Sequence, residues 1–335
     1  MKLSRRLFHR LVTGLVILAL GGCAAPASPS PTPVVLSKAT PGKKTYQTLV
    51  VGFAQVGAES DWRTGNTQSI VDAAHDLGVE LKFVDGQQKQ ENQIKAIRSF
   101  IAQQVDVIGV SPIVENGWDS VFQEAREAGI PIIILDRRAN VPEDMYVTYL
   151  GSDFVEEGRN AARVMAGLLD GKGNIVELTG TEGSAPAVDR YQGFREVLQT
   201  YPEMRIVVSR TGDFTRARGK EVMRDILQSY TGKIDALFAH NDDMAIGAIK
   251  AIEEAGLKPG KDIKIVSIDA IREAFKAMAD GKLNATVECN PLLGPQFFDL
   301  ALKVVNGEKV PKRIPSVESI YYPYNALEIL PTRKY

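Results

Sequence analysis

The chain has 335 residues, a formal net charge of −1, 44% hydrophobic and 24% charged residues. That balance leaves no basic footprint for nucleic acid and matches an ordinary globular protein rather than a disordered one. Cys23 and Cys289 are the two cysteines and His9, His75 and His240 the three histidines; their spacing holds no metal-ligand cluster.

The first residues carry Lys2, Arg5, Arg6 and Arg10, followed by the uncharged run Leu11–Leu20. A membrane span needs about 20 apolar residues, so this shorter run reads as the core of a signal peptide over residues 1–22. Leu20-Gly21-Gly22-Cys23 has the pattern of a bacterial lipobox, which implies lipidation of Cys23, and two acyl chains suffice for stable anchoring. Ser4-Arg5-Arg6-Leu7-Phe8 also resembles a twin-arginine signal, leaving both export routes open. Residues 23–45 contain five prolines from Cys23 to Pro41 and little that could be buried, which predicts a Pro/Ser-rich tether between membrane and body.

From Tyr46 onward, short apolar runs alternate with amphipathic stretches. The predicted strands are Leu49–Ala54, Leu81–Val84, Val107–Val110, Ile132–Leu135, Tyr146–Leu150, Ile175–Leu178, Ile206–Val208, Ala236–Ala239, Ile263–Ile268 and Ala285–Val287. Continuous apolar runs such as Ile132–Leu135 suit strands buried on both faces of a parallel sheet. Between them Ile94, Ile97 and Ile101 share one helical stripe, as do Val222, Ile226 and Tyr230, and Ile246, Ile249 and Ile252. Strand–helix alternation over this length predicts an α/β protein with two doubly wound parallel-sheet lobes. The break falls near Leu150-Gly151-Ser152-Asp153.

In open parallel sheets the ligand lies beyond the carboxyl ends of the strands. The residues there are Gln55 with Glu59, Ser60 and Asp61, then Asp85, Ser111, and Asp136-Arg137. The second half offers Asp213-Phe214, His240-Asn241-Asp242 and Asp269. Any one of these could be a helix cap, and Asp242 is the first expected to be only that. Together, carboxylates, amides and the arginine forks of Arg137 and Arg190, with the flat faces of Trp62 and Phe214, suit a neutral polyhydroxylated ligand. The sequence has no phosphate loop, no dinucleotide fingerprint and no serine elbow. Asp136 and Asp269 could be read as a glycosidase pair, but Arg137 beside Asp136 suits it to accept hydrogen bonds rather than to act as a general acid.

Gly52-Phe53-Ala54-Gln55-Val56-Gly57-Ala58-Glu59-Ser60-Asp61-Trp62-Arg63, Asp85-Gly86-Gln87-Gln88-Lys89-Gln90-Glu91-Asn92-Gln93-Ile94, Leu135-Asp136-Arg137 and Ala239-His240-Asn241-Asp242-Asp243-Met244 give the chain a recognisable cast. It resembles the type I periplasmic sugar-binding proteins of ABC importers, the ribose- and galactose-binding group, and within it the galactofuranose-binding members. The resemblance implies two lobes joined by a three-segment hinge: residues 46–150 plus 291–320, and 152–288 plus 322–335. It implies ligand contacts from Glu59, Ser60, Asp61, Trp62, Arg63, Asp85, Asp136, Arg137, Arg190, Phe214, Asn241 and Asp269. The third crossover, Glu288-Cys289-Asn290-Pro291-Leu292-Leu293-Gly294-Pro295, is one residue shorter than the pattern it resembles, so its contact is left unassigned.

The function this resemblance implies is that of an extracytoplasmic solute-binding lipoprotein, anchored to the cell membrane through Cys23. It would capture a monosaccharide such as galactofuranose or a related hexose and pass it to ABC importer permease subunits. The expectation is a monomer without cofactor, metal or enzymatic activity. A sugar-sensing lipoprotein presenting ligand to a receptor and a secreted glycoside-processing enzyme stay open as alternatives. A cytosolic sugar-responsive repressor would need a helix-turn-helix where this chain has a signal segment.

Overall fold

A computed structural model describes residues 42–335; the signal segment, Cys23 and the tether up to residue 41 lie outside them. Lys44 and Thr45, read as the end of that tether, are held on the body instead. Lys44 exchanges two backbone hydrogen bonds with the Asn306 side chain, at 2.8 and 3.1 Å, and its ammonium pairs with Asp106 at 2.9 Å.

The first lobe opens with β1 (Val50–Gln55), α1 (Asp61–Leu77), β2 (Glu80–Asp85), α2 (Gln90–Ala102), β3 (Val107–Val110), α3 (Asp119–Glu127), β4 (Ile132–Leu135) and β5 (Thr148–Gly151). The chain then crosses to the second lobe for α4 (Phe154–Leu168), β6 (Lys172–Thr179), α5 (Ala185–Leu198), β7 (Glu203–Thr211), α6 (Arg216–Ser229), β8 (Ala236–Ala239), α7 (Asp242–Glu254), β9 (Lys264–Asp269), α8 (Arg272–Ala279) and β10 (Ala285–Glu288). It returns for α9 (Gly294–Val305) and β11 (Arg313–Pro315), and crosses again to β12 (Ile320–Tyr321). All ten predicted strands are present, several lengthened by a residue or more at the ends. The two short ones, β11 and β12, carry too few apolar residues to be legible.

The strand orders are β2-β1-β3-β4-β5-β11 and β7-β6-β8-β9-β10-β12. Pairing is parallel throughout except for β12, which runs antiparallel to β10. In both sheets the order reverses between the first and third strands, at β1/β3 and at β6/β8. That switch is where the flanking helices diverge and leave a crevice at the strand ends. β3, β4, β8 and β10 are buried at every position, as their apolar runs require.

The three crossovers are bonded to one another where they pass between the lobes. Ser316 N donates to Gly151 O at 3.0 Å and Glu288 N to Ser319 O at 2.8 Å. The Ser152 hydroxyl meets the Glu318 carboxylate, and Arg313 Nη2 donates to Ser152 O at 2.6 Å. Asp242 is not the helix cap its position suggested: Asn241 fills that role, accepting from Met244 N at 3.0 Å. Asp242 is fully buried, and its carboxylate receives the hydroxyls of Ser267 and Thr286 and the amide of Ile271. It joins the ends of β9 and β10 to α7.

Candidate functional site

The crevice is built from the loop after β1. Ser60 caps α1, its hydroxyl accepting from Arg63 N at 3.1 Å, which satisfies one orphan amide of the first turn. Capped this way, α1 turns Trp62, Arg63 and Asn66 inward, and all three are buried.

Arg63 is the centre of the first-lobe wall. Its guanidinium donates to Asp136 Oδ2 at 2.6 Å, Glu59 Oε1 at 3.1 Å, and Gln55 Oε1 and the Ser111 hydroxyl at 3.2 Å. Burial works against its charge, but Asp136 and Glu59 outweigh that and hold the guanidinium above its ordinary range. Glu59 is likewise lowered despite burial because Arg63 and Arg137 face it. Arg137 donates to Glu59 Oε1 at 3.1 Å and to Ile113 O at 3.2 Å; burial and the neighbouring Arg63 push its pKa down to about 10. The expected role of Arg137 as partner of Asp136 falls instead to Arg63: Arg137 Nε stands 4.0 Å from that carboxylate.

The second-lobe wall rests on Arg190, in the second turn of α5. It donates to Glu157 Oε2 at 2.7 Å and to His240 O at 2.6 Å, and lies 3.7 Å from Asp269. Burial pushes the Asp269 carboxyl well up, with Arg190 acting against it. Phe214 packs its ring where a side chain on Gly180 would stand, 1.9 Å from an added Cβ; only glycine leaves room for it. The Arg137 and Arg190 guanidiniums lie 5.2 and 5.9 Å from that ring's centre, within cation–π range. Asn241 donates to Phe214 O at 3.0 Å.

Ten of the twelve residues named from sequence line one crevice: Glu59, Ser60, Trp62, Arg63, Asp136, Arg137, Arg190, Phe214, Asn241 and Asp269, joined by Pro186 and Cys289. Asp136, Phe214 and Asp269 hold positive φ angles of 61°, 61° and 126°, each costing about 1–3 kcal/mol for residues that are not glycine. Such strain is tolerated where side chains must be aimed.

Two expected contacts lie elsewhere. Asp61 is the first helical residue of α1 and faces out of the crevice, its carboxylate 2.9 Å from Arg216 Nη2 and its amide donating to Asp243 at 2.8 Å. Asp85 ends the edge strand β2, where its exposed carboxylate accepts from Gln87 N at 2.7 Å and closes a turn. Cys289 lies in the crossover whose contact the sequence left unassigned, and Pro186 is a lining residue that sequence reasoning did not name. Cys289 follows β10, so the strand-end rule would have found it; Pro186 gives no chemical signal. The carbonyl of Cys289 accepts the indole N–H of Trp62 at 2.6 Å, so Trp62 is fixed in a wall between lobe and crossover.

Three carboxyl side chains and three guanidiniums line the crevice, a formal balance near zero. Two of their atoms, Glu59 Oε2 and Arg137 Nε, are buried and have no hydrogen-bond partner among the described residues. Burial pushes the Cys289 thiol well up, which keeps it a protonated, poor nucleophile, and the Ser60 hydroxyl is engaged as a cap. The arrangement can bind and orient a polar molecule.

Residues 51–309 match the family model for the periplasmic binding protein domain. The galactofuranose-binding protein YtfQ of Escherichia coli is 45% identical over 291 residues, spanning 85% of this chain and 92% of that protein. A Mycobacterium smegmatis protein solved in complex with β-D-fucofuranose is 53% identical with a TM-score of 0.83, covering 84% of this chain and 94% of its own. The binding component of the arabinose ABC transporter of Shewanella sp. ANA-3, bound to α- and β-L-arabinofuranose, is 48% identical with the same TM-score, over 85% and 95%.

Proposed function

The chain belongs to the periplasmic binding protein family, and on that premise we propose that it captures a single furanose-form sugar outside the cytoplasm and delivers it to the permease of an ABC importer. The observation that carries this reading is the pair of unpartnered atoms in the crevice. A buried acceptor, Glu59 Oε2, and a buried donor, Arg137 Nε, are satisfied together by hydroxyl groups, which both donate and accept. Leaving such groups unmade costs about 1–3 kcal/mol apiece. The formal balance of the lining charges suits a neutral ligand. Trp62 and Phe214 supply apolar faces for the C–H side of that ring.

Galactofuranose, fucofuranose and arabinofuranose, the sugars named for similar proteins, are the first candidates. Sugar touching both lobes stabilises the closed arrangement, and closure is what a membrane partner reads. A lipid on Cys23 would keep the body within reach of that partner. The test is a thermal titration with D-galactose, D-fucose and L-arabinose. A binder raises stability by about 2.7 kcal/mol at 100 times its Kd, and NMR of the bound sugar gives its ring form. No rise in Tm with any of the three defeats the reading.

A further inference from the structure

Glu157 lines no part of the crevice, yet it controls a residue that does. It sits in the first turn of α4, directly after the first crossover, buried, with Oε2 accepting from Arg190 Nε at 2.7 Å. The two helices that carry the pair meet backbone to backbone. A Cβ on Gly158 would lie 2.4 Å from Arg190 O, and one on Gly193 would lie 2.0 Å from Val155 O. Glycines at both positions therefore set how deeply Arg190 stands relative to Glu157. The other oxygen, Glu157 Oε1, is buried without a partner among the described residues. It belongs to a group in which Glu157, Cys289 and Glu318 each bring a ligating atom within 4.8 Å of the others.

Each member of that group comes from a different passage between the lobes. Glu157 follows the first crossover, Cys289 belongs to the second, which sequence alone counts as the third, and also lines the crevice, and Glu318 belongs to the third. Glu318 accepts from the Ser152 hydroxyl and from Asn290 N, and Ser152 Oγ lies 3.3 Å from Cys289 Sγ. Arg190 is the one cation of the crevice that contacts Glu157 among the described residues, and its other bonds run to His240 O and toward Asp269.

We propose that Glu157 is a positioning residue for sugar binding, holding the Arg190 guanidinium in the crevice and tying it to the crossovers on which the lobes turn. This rests on the sugar-binding reading above. Without the carboxylate, Arg190 keeps its carbonyl partner but loses the bond that fixes its rotation, so closure on the sugar finds its donors misaimed.

The experiment measures Kd for L-arabinose and D-galactose by calorimetry in wild type, Glu157→Gln, Arg190→Gln and the double variant. Glu157→Gln is expected to raise Kd about 30-fold, in the range for a broken buried charge pair. In the Arg190→Gln background the same change is expected to leave Kd within about twofold, because residues acting through one another are not additive. Should Glu157→Gln fail to fold, Glu157→Asp keeps the charge but withdraws it by one methylene, and a folded protein with Kd raised about tenfold is then expected. A lowered Tm with wild-type Kd, or losses that multiply in the double variant, overturns the proposal. Wild type that binds neither sugar overturns the sugar reading with it; wild type that binds while Glu157→Gln binds equally overturns this inference alone.

Discussion

Arg216 of the second lobe reaches across the rim to Asp61 of the first at 2.9 Å, while its other contacts stay within its own lobe, with Asp243 at 2.8 Å and Glu273 at 2.5 Å. On the opposite rim Arg138 of the first lobe meets Asp189 of the second and Glu115 of its own. The two ion pairs that bridge the lobes exist only when the lobes meet, so they add to closure from outside the crevice.

The Arg216–Asp61 pair is half-exposed, and pairs of this kind contribute roughly 0.2–1 kcal/mol. Asp61→Asn is therefore expected to raise Kd for the bound sugar about twofold to fivefold at low salt, mainly through faster release. At about 1 M salt, where screening acts within about 3 Å, the difference from wild type should vanish. Stopped-flow release rates at the two salt concentrations check this; a salt-independent difference would place Asp61 in the binding contacts after all.

The Arg63–Asp136 bond concerns stability as much as binding. Arg63 is 2% exposed, so Asp136→Ala leaves two buried guanidiniums, Arg63 and Arg137, sharing the one carboxylate of Glu59 and is expected to cost about 3–5 kcal/mol, together with measurable sugar binding. Asp136→Asn keeps the volume and an acceptor and is expected to cost less. Chemical denaturation of both variants decides; equal stabilities for wild type and Asp136→Ala would show that Glu59 alone balances Arg63.

The buried acids of the hinge and second lobe give a pH dependence. Burial, then the nearby Glu157, raises Glu318 from 4.5 to about 9. A raised carboxyl holds a proton in the folded state that the unfolded chain releases. Its contribution to stability is complete below the ordinary pKa and is lost as pH rises through the folded one. Asp243 and Asp242 act in the same direction, but their windows close near about 6 and about 7. Between about pH 7.5 and 9 the fall in Tm should therefore rest largely on Glu318, and Glu318→Gln should flatten it. Parallel slopes in the two proteins would count against Glu318.

Much of the site could be read from strand ends, because a parallel sheet delivers every carboxyl terminus to the same edge. Asp136, Asp269 and Glu59 are legible by that rule alone. It misplaces Asp61 because helical periodicity from the Ser60 cap sends Trp62 and Arg63 inward and Asp61 outward. It misplaces Asp85 because β2 is an edge strand whose end lies away from the switch point. Sequence could not show that Arg63, rather than Arg137, holds Asp136, nor that Glu157 holds Arg190. Those pairings depend on how helices dock, and for α4 and α5 the docking turns on two glycines that look ordinary in a chain holding 29.

Glu59 Oε2 and Arg137 Nε have a consequence for fidelity. Lobes that met around nothing able to hydrogen-bond would strand one buried acceptor and one buried donor. At about 1–3 kcal/mol each, that disfavours such closure by a factor of about 30 or more. An apolar contaminant of the right size meets the same barrier. On the function proposed above, a partner that recognises the closed shape would be protected from false deliveries by these two atoms.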